Sequence, residues 1–182
     1  MKNVYLIRHG LPDFPGGSRM CLGTTDIPMA AEGISQARRM AKALPPVTAV
    51  FSSPLTRALQ TAEAIGLPVT VLEGLREAYA GQWDGLTFDE IRRRYPALYA
   101  AREKDLTIPL PDAEDKAESL PRFLTAMKIA GETAPGDFAV VAHGGVIAAF
   151  LEHITGTRYK PDYTEIIPLC YENGNFILKE ES

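Results

Sequence analysis

The chain is poor in the residues that build cross-linked scaffolds and metal centres. Its 182 residues include two cysteines, Cys21 and Cys170, and three histidines. Two distant cysteines make neither a disulfide framework nor a zinc-type spacing, and such usage suits a reducing cytoplasm. No two histidines lie at the helical spacing of a metal-ligand pair, so no metal and no cofactor are expected. No apolar run approaches the roughly 20 residues of a membrane span. The first apolar stretch is cut short by Arg8 and His9, unlike the core of a signal peptide. Positive charge is not in excess either: the formal net charge is −4, which argues against a nucleic-acid partner. Repeats and low-complexity tracts are missing. Hydrophobic and charged residues make up 46% and 23% of the chain, as in a soluble globular protein with a substantial core. The expectation is one domain over residues 1–182, cytoplasmic and without a membrane partner.

What is present centres on Val4-Tyr5-Leu6-Ile7-Arg8-His9-Gly10. The apolar run reads as a strand buried on both faces, ending where the charges begin. Arg8 and His9 then stand at the carboxyl end of a central strand, the edge where open α/β sheets bind ligands. A guanidinium beside an imidazole suits phosphate, although a hydrogen-bonded surface pair is the plain alternative. Residues 137–142 repeat the pattern: a buried strand runs into His143-Gly144-Gly145 and then an apolar helix over residues 146–155. The free N–H groups at the start of that helix make an anion site beside His143. His153, near its other end, reads as structural and favoured by the helix dipole.

Between these stretches, residues 11–29 are too rich in proline and glycine for a regular element. Residues 30–43 read as a helix with Ile34, Ala37, Ala41 and Leu44 on its apolar face. Residues 47–51 read as a strand, followed by a helix with Ser53 as N-cap and Pro54 as first residue. Arg57 then falls in the first turn, where a cation opposes the helix dipole. Either it faces solvent at small cost, or it serves function against local preference. Residues 67–72 read as a strand, and residues 73–86, with three glycines and the only tryptophan, as irregular. Thr87 and Glu90 form a capping box, Glu90 pairs with Arg94, and Pro96 ends that helix before a short one to Lys104. A long helix over residues 113–131, with Pro121 as a possible divider, turns Leu120, Phe123, Leu124, Met127 and Ile129 inward. Residues 164–170 and 175–179 close the chain as a hairpin across Asn173-Gly174. The alternation implies a three-layer α/β/α sandwich whose mostly parallel sheet is covered on both faces. Two arginines and two histidines can converge there on one tetrahedral oxyanion.

These motifs together resemble the histidine phosphatase superfamily, the phosphoglycerate mutase-like fold. Leu6-Ile7-Arg8-His9-Gly10 matches its opening signature. Gly23-Thr24-Thr25-Asp26-Ile27-Pro28, Ser52-Ser53-Pro54-Leu55-Thr56-Arg57-Ala58, Leu75-Arg76-Glu77 and Val141-Ala142-His143-Gly144-Gly145 follow in family order. The resemblance implies a cofactor-independent phosphatase acting through a phosphohistidine. His9 is then the nucleophile, with Arg8, Arg57, His143, Gly144 and Thr24 on the phosphoryl oxygens. Glu77 is the proton donor, in preference to Glu73. A small phosphomonoester is the implied partner, with α-ribazole phosphate, a sugar phosphate and phosphoglycerate as candidates, and the state a monomer or homodimer. Leu11 and Pro15 depart from the Glu or Gln and the asparagine that members often carry, so the 11–18 loop is unusual. The alternatives are a mutase, which in this family carries a longer insertion before the second histidine, a protein phosphohistidine phosphatase, and a non-catalytic phospho-ligand module.

Overall fold

The computed structural model describes residues 1–179. Its sheet contains β1 (Lys2–Arg8), β2 (Ala49–Ser52), β3 (Val69–Val71), β4 (Phe138–Ala142), β5 (Ile166–Glu172) and β6 (Asn175–Leu178), in the order β3-β2-β4-β1-β5-β6. The strands from β3 to β1 run parallel, and β5 and β6 close the sheet antiparallel. Helices α1 (Ala31–Ala43), α2 (Thr56–Glu63), α3 (Phe88–Arg94), α4 (Pro96–Lys104), α5 (Lys116–Thr133) and α6 (Gly144–Thr155) fill the connections. One face of the sheet, through Leu6, Phe51, Phe138 and Val140, packs on Phe123 and Met127 of α5 and Ile147 and Phe150 of α6. The other, through Ile7, Val50, Ala139 and Val141, packs on Met40 of α1 and Ala58 and Ala62 of α2. The expected three-layer α/β/α sandwich is present. A central strand touched from both faces must be apolar at every position, and all five β4 residues are buried.

Several elements differ in detail. Helix α2 begins at Thr56, whose N–H and hydroxyl both donate to the carboxylate of Asp26 from the 23–28 loop, at 2.8 and 2.7 Å. Ser53 is therefore not its cap, and Pro54 lies before the helix. The capping box of α3 is present, with Glu90 3.5 Å from Arg94, and Pro96 opens α4 as its first residue. Pro121 lies inside α5 without dividing it, and a second capping box, Asp115 with Glu118, starts that helix. Ile34 and Ile129 turn outward and remain exposed; Gly33 with Met40, and Ala126 with Ala130, take the inner positions. Spacing defines a helical stripe but not its edges, and small residues allow α1 and α5 closer to their neighbours. Asn173 and Gly174 both adopt positive φ, 51° and 84°, as a tight hairpin turn requires. Among the described residues no helix is long and apolar enough to cross a membrane.

Candidate functional site

Three neighbouring strands end level with one another. Ile7 pairs with Val141, and Val141 with Ser52, so the next residues out, His9, His143 and Ser53, emerge together. Backbone bonds extend the pairing past the strand ends, from the His9 N–H to the Ala142 carbonyl and from the Ser53 N–H to the Val141 carbonyl, both at 3.0 Å. The two imidazoles are buried with ring centres 5.0 Å apart.

The His9 Nδ1 lies 2.8 Å from the Gly10 carbonyl oxygen. A carbonyl only accepts, so Nδ1 carries the ring hydrogen and Nε2 is left with its lone pair. The Arg57 Nε–H points at that lone pair from 3.4 Å. Burial first, then the Arg57 charge, holds the His9 pKa well below its usual value, with Arg8 adding to the effect and the Gly10 bond opposing it. Near neutral pH the ring is therefore uncharged, with its Nε2 lone pair facing a guanidinium.

Arg57 does not face solvent. It is 1% exposed, the largest of the fully buried side chains. Its two terminal nitrogens donate to the carbonyls of Thr25 at 2.9 Å and Gly23 at 3.0 Å. The 23–25 loop is in turn fixed by Asp84, whose carboxylate accepts the N–H groups of Gly23, Thr24 and Thr25 at 3.1, 2.7 and 3.1 Å. Burial alone would raise the Asp84 pKa, but hydrogen bonds from Thr25, Thr24 and Gly23 bring it below the ordinary value. Thr24 also donates its hydroxyl to Asp84 at 3.1 Å. In this structure Thr24 therefore belongs to the support of Arg57. Asp84 and its role carry no sequence signal, because it meets its partners across some 60 residues.

Arg8 donates to the Pro161 carbonyl at 2.9 Å, and its guanidinium carbon lies 3.9 Å from the ring centre of Tyr163, a cation–π contact. Tyr163 also approaches His9, at 5.7 Å between ring centres; it sits in an irregular segment, where no periodicity marks it. Arg8 lies against the start of α6. A Cβ on Gly144 would stand 3.1 Å from the Arg8 Nε, so glycine permits that approach.

The start of α6 is not a free anion site. The Glu77 carboxylate occupies it, accepting from the Gly145 N–H at 2.8 Å and the Val146 N–H at 3.0 Å, and also from the Ala78 N–H at 3.0 Å. Burial pushes the Glu77 pKa up, against the pull of these bonds and of Arg57. A Cβ on Gly145 would stand 2.7 Å from the carboxylate, so that glycine makes room for the acid. The loop behind Glu77 hangs on Arg122 of α5, which donates to the carbonyls of Gly74, Arg76 and Glu77 at 2.8, 2.7 and 3.2 Å. Glu114 bridges Arg122 and Arg76. Despite the opposing effect of burial, hydrogen bonds from both arginines bring its pKa down to about 2, so this fastening stays charged across the physiological range. Glu73 remains exposed, and so does His153 in the last turn of α6. His9, Arg8, Arg57, His143, Gly144 and Glu77 thus come together, whereas Glu73 and His153 do not.

The buried histidines make stability depend on pH. Burial first, then His9 and the two arginines, lowers the His143 pKa well below 6.5, and His9 behaves likewise. A histidine whose folded value is depressed gives full stability above its unfolded value and loses it as pH falls below that point. Each ring should cost about 1.4 kcal/mol per pH unit below ~6.5 until it protonates in the fold. Glu77, shifted upward, titrates in the opposite sense and blunts the effect. In phosphate-free buffer the melting temperature should hold from about pH 8 to 7 and fall towards pH 5, less steeply in His143→Asn. A flat profile over that range would contradict neutral, buried rings.

A family model matches residues 4–180 and so spans this whole cluster of two buried histidines, two arginines and a buried carboxylate. The chain belongs to the histidine phosphatase superfamily (branch 1). The uncharacterized phosphatase PhoE of Bacillus subtilis is 30% identical over 97% of this chain and 89% of its own. The glucosyl-3-phosphoglycerate phosphatase of Mycobacterium tuberculosis is 35% identical over 81% of this chain and 73% of its own. Among solved structures, Bacillus stearothermophilus YhfR superposes with a TM-score of 0.85 at 27% identity, covering 98% of this chain and 95% of that one. The mycobacterial glucosyl-3-phosphoglycerate phosphatase with VO3 does so at 0.84 and 26% identity, covering 98% of each chain. The α-ribazole phosphatase of Shigella flexneri, at 21% identity and a TM-score of 0.80, shares the fold. Several of the relatives this superfamily member resembles are phosphatases.

Proposed function

We propose that the protein hydrolyses small phosphomonoesters in two steps through His9. The observation that supports this best is the His9 ring itself: Nδ1 is tied to the Gly10 carbonyl, and Nε2 is neutral, unprotonated and beside Arg57. In the first step Nε2 attacks phosphorus, the bond to the leaving oxygen breaks, and Glu77 gives that oxygen its proton. In the second, Glu77 takes a proton from water, the oxygen of water attacks phosphorus, and the P–N bond breaks to release inorganic phosphate. Splitting the displacement this way replaces one difficult step by two easier ones. Phosphoryl transfer needs mainly positioning and charge on the equatorial oxygens, which Arg8, Arg57 and His143 are arranged to supply. The Glu77 acid has to be protonated when substrate is bound; burial already raises its pKa, and a phosphate dianion alongside raises it further.

The surroundings favour a substrate whose leaving part is itself acidic. A cleft lined by Arg19, Arg92 and Lys160, with Phe88 and Tyr99, shares chain segments with two of the site's supports. Lys160 precedes Pro161, whose carbonyl holds Arg8. Arg19 lies four residues before Gly23, whose carbonyl holds Arg57. Arg92 is paired with Asp89 at 2.7 Å, but no ion pair engages Arg19 or Lys160 among the described residues. In a chain of net charge −4 this local surplus of cations suits a carboxylate or second phosphate on the substrate. Phosphate release over a panel of phosphorylated metabolites tests both points. 3-Phosphoglycerate should exceed glycerol 3-phosphate in kcat/KM, and Arg19→Gln with Lys160→Gln should remove roughly tenfold of that preference. Turnover of neither class would sink the phosphatase reading. Equal turnover, unaltered by the double variant, would leave the phosphatase and remove the acidic subsite.

A further inference from the structure

Two buried polar atoms of this site, the Arg8 Nε and the His143 Nδ1, have no hydrogen-bond partner; the second belongs to a ring whose other nitrogen is held. Its Nε2 lies 2.7 Å from the Ser53 hydroxyl, while its Nδ1 is buried without a hydrogen-bond partner. Buried polar atoms are rarely left so, because an unmade bond costs about 1–3 kcal/mol. Ser53 is fully buried at the end of β2, with its backbone held by Val141. Its oxygen accepts the Leu55 N–H at 3.2 Å, a group that can only donate. The hydroxyl hydrogen is then free for one buried acceptor, the His143 Nε2. The reverse arrangement would aim two N–H donors at one oxygen and leave the hydroxyl hydrogen with nothing to bond.

We propose that Ser53 is a positioning residue that fixes His143 as the Nδ1–H tautomer, so that the partnerless Nδ1–H donates to an oxygen of the bound phosphoryl group. The inference rests on the phosphatase reading for its ligand, but not for the tautomer. It assigns the two histidines the same tautomer and opposite duties. His9, anchored at Nδ1 by the Gly10 carbonyl, turns its lone pair to the ligand. His143, anchored at Nε2 by Ser53, turns an N–H to it. With the pKa of His143 also depressed, the ring keeps a single proton, and Ser53 decides which nitrogen holds it. A tautomer set in advance costs nothing to reorganise when charge develops on the phosphoryl oxygens.

Nitrogen-15 NMR of protein labelled at its three histidines reads the tautomer directly in the resting enzyme. The His143 signals, assigned with His143→Asn, should show the Nδ1–H form in the wild type and a mixture in Ser53→Ala. Affinity for inorganic phosphate and kcat should fall about 10- to 100-fold in that variant. Ser53→Cys, which keeps the shape but offers a weaker donor, should lie between the two on every measure and guards against a simple packing defect. An Nε2–H form in the wild type overturns the proposal. So does a Ser53→Ala protein with unchanged tautomer and phosphate affinity. If no phosphoester is turned over yet the tautomer responds to Ser53 and phosphate binds as described, the failure lies with the hydrolytic reading alone.

Discussion

His9→Ala protein should release phosphate from any substrate at least ~10³-fold more slowly than the wild type, because removal of a covalent nucleophile removes a whole pathway and not one contact. The wild type, quenched under basic denaturing conditions during turnover of a ³²P-labelled ester, should retain acid-labile, base-stable label on His9. The structure makes this variant a clean one. His9 sits after the last residue of β1, its backbone N–H is bonded to Ala142, and alanine keeps that bond. Loss of the buried ring should also remove part of the destabilisation expected below about pH 6.5. Retention of most turnover, or label on another residue, would refute the nucleophile.

Glu77→Gln should slow phosphoenzyme formation from an alkyl phosphate by roughly 10²–10⁴-fold, the usual worth of a positioned acid. An alkoxide cannot leave without a proton, whereas p-nitrophenolate can, so the loss with p-nitrophenyl phosphate should be far smaller. The surroundings of Glu77 add a complication with a definite sign. Its two oxygens accept from Gly145, Val146 and Ala78, and a glutamine amide offers only one acceptor. At least one N–H then meets a donor, costing about 1–3 kcal/mol. A general loss of order should slow both substrates alike, while loss of the acid separates them. Single-turnover measurement of the formation step with each substrate is therefore decisive, and an equal loss for both would sink the acid role. A normal Glu77→Gln enzyme beside a dead Glu73→Gln enzyme would move the role to Glu73, against its exposed position.

How much of this was legible beforehand depended on whether the cause was local. Val4 to Gly10 and Val140 to Gly145 announced buried strands with charged ends, because a strand covered on both faces has no polar alternation to hide it. Arg57 was ambiguous for a good reason: a cation at a helix start is unfavourable by itself. What resolves it is a pair of carbonyls supplied by the 23–25 loop, more than 30 residues away. Ser53 resembled a helix cap because serine before Pro54 usually is one, yet its hydroxyl serves His143, 90 residues on. The start of α6 was read as open to an anion, and the anion proved to be the protein's own Glu77. Ile34 and Ile129 obeyed helical spacing but lost the inner positions to Gly33 with Met40 and to Ala126 with Ala130. Such outcomes rest on partners that only the folded chain brings together.

The strand order also governs when this site can exist during synthesis. β1 is made first, but both its neighbours, β4 and β5, come from the last third of the chain. Until about residue 138 has left the ribosome, the apolar edge of Val4 to Ile7 has no strand to pair with. The nascent protein thus carries an unpaired apolar ribbon through most of its synthesis. Lys2 and Arg8, at its two ends, act as charged gatekeepers of the kind that flank such ribbons. Arg8, proposed as a phosphate ligand, is thus also one of the two charges that bound this ribbon.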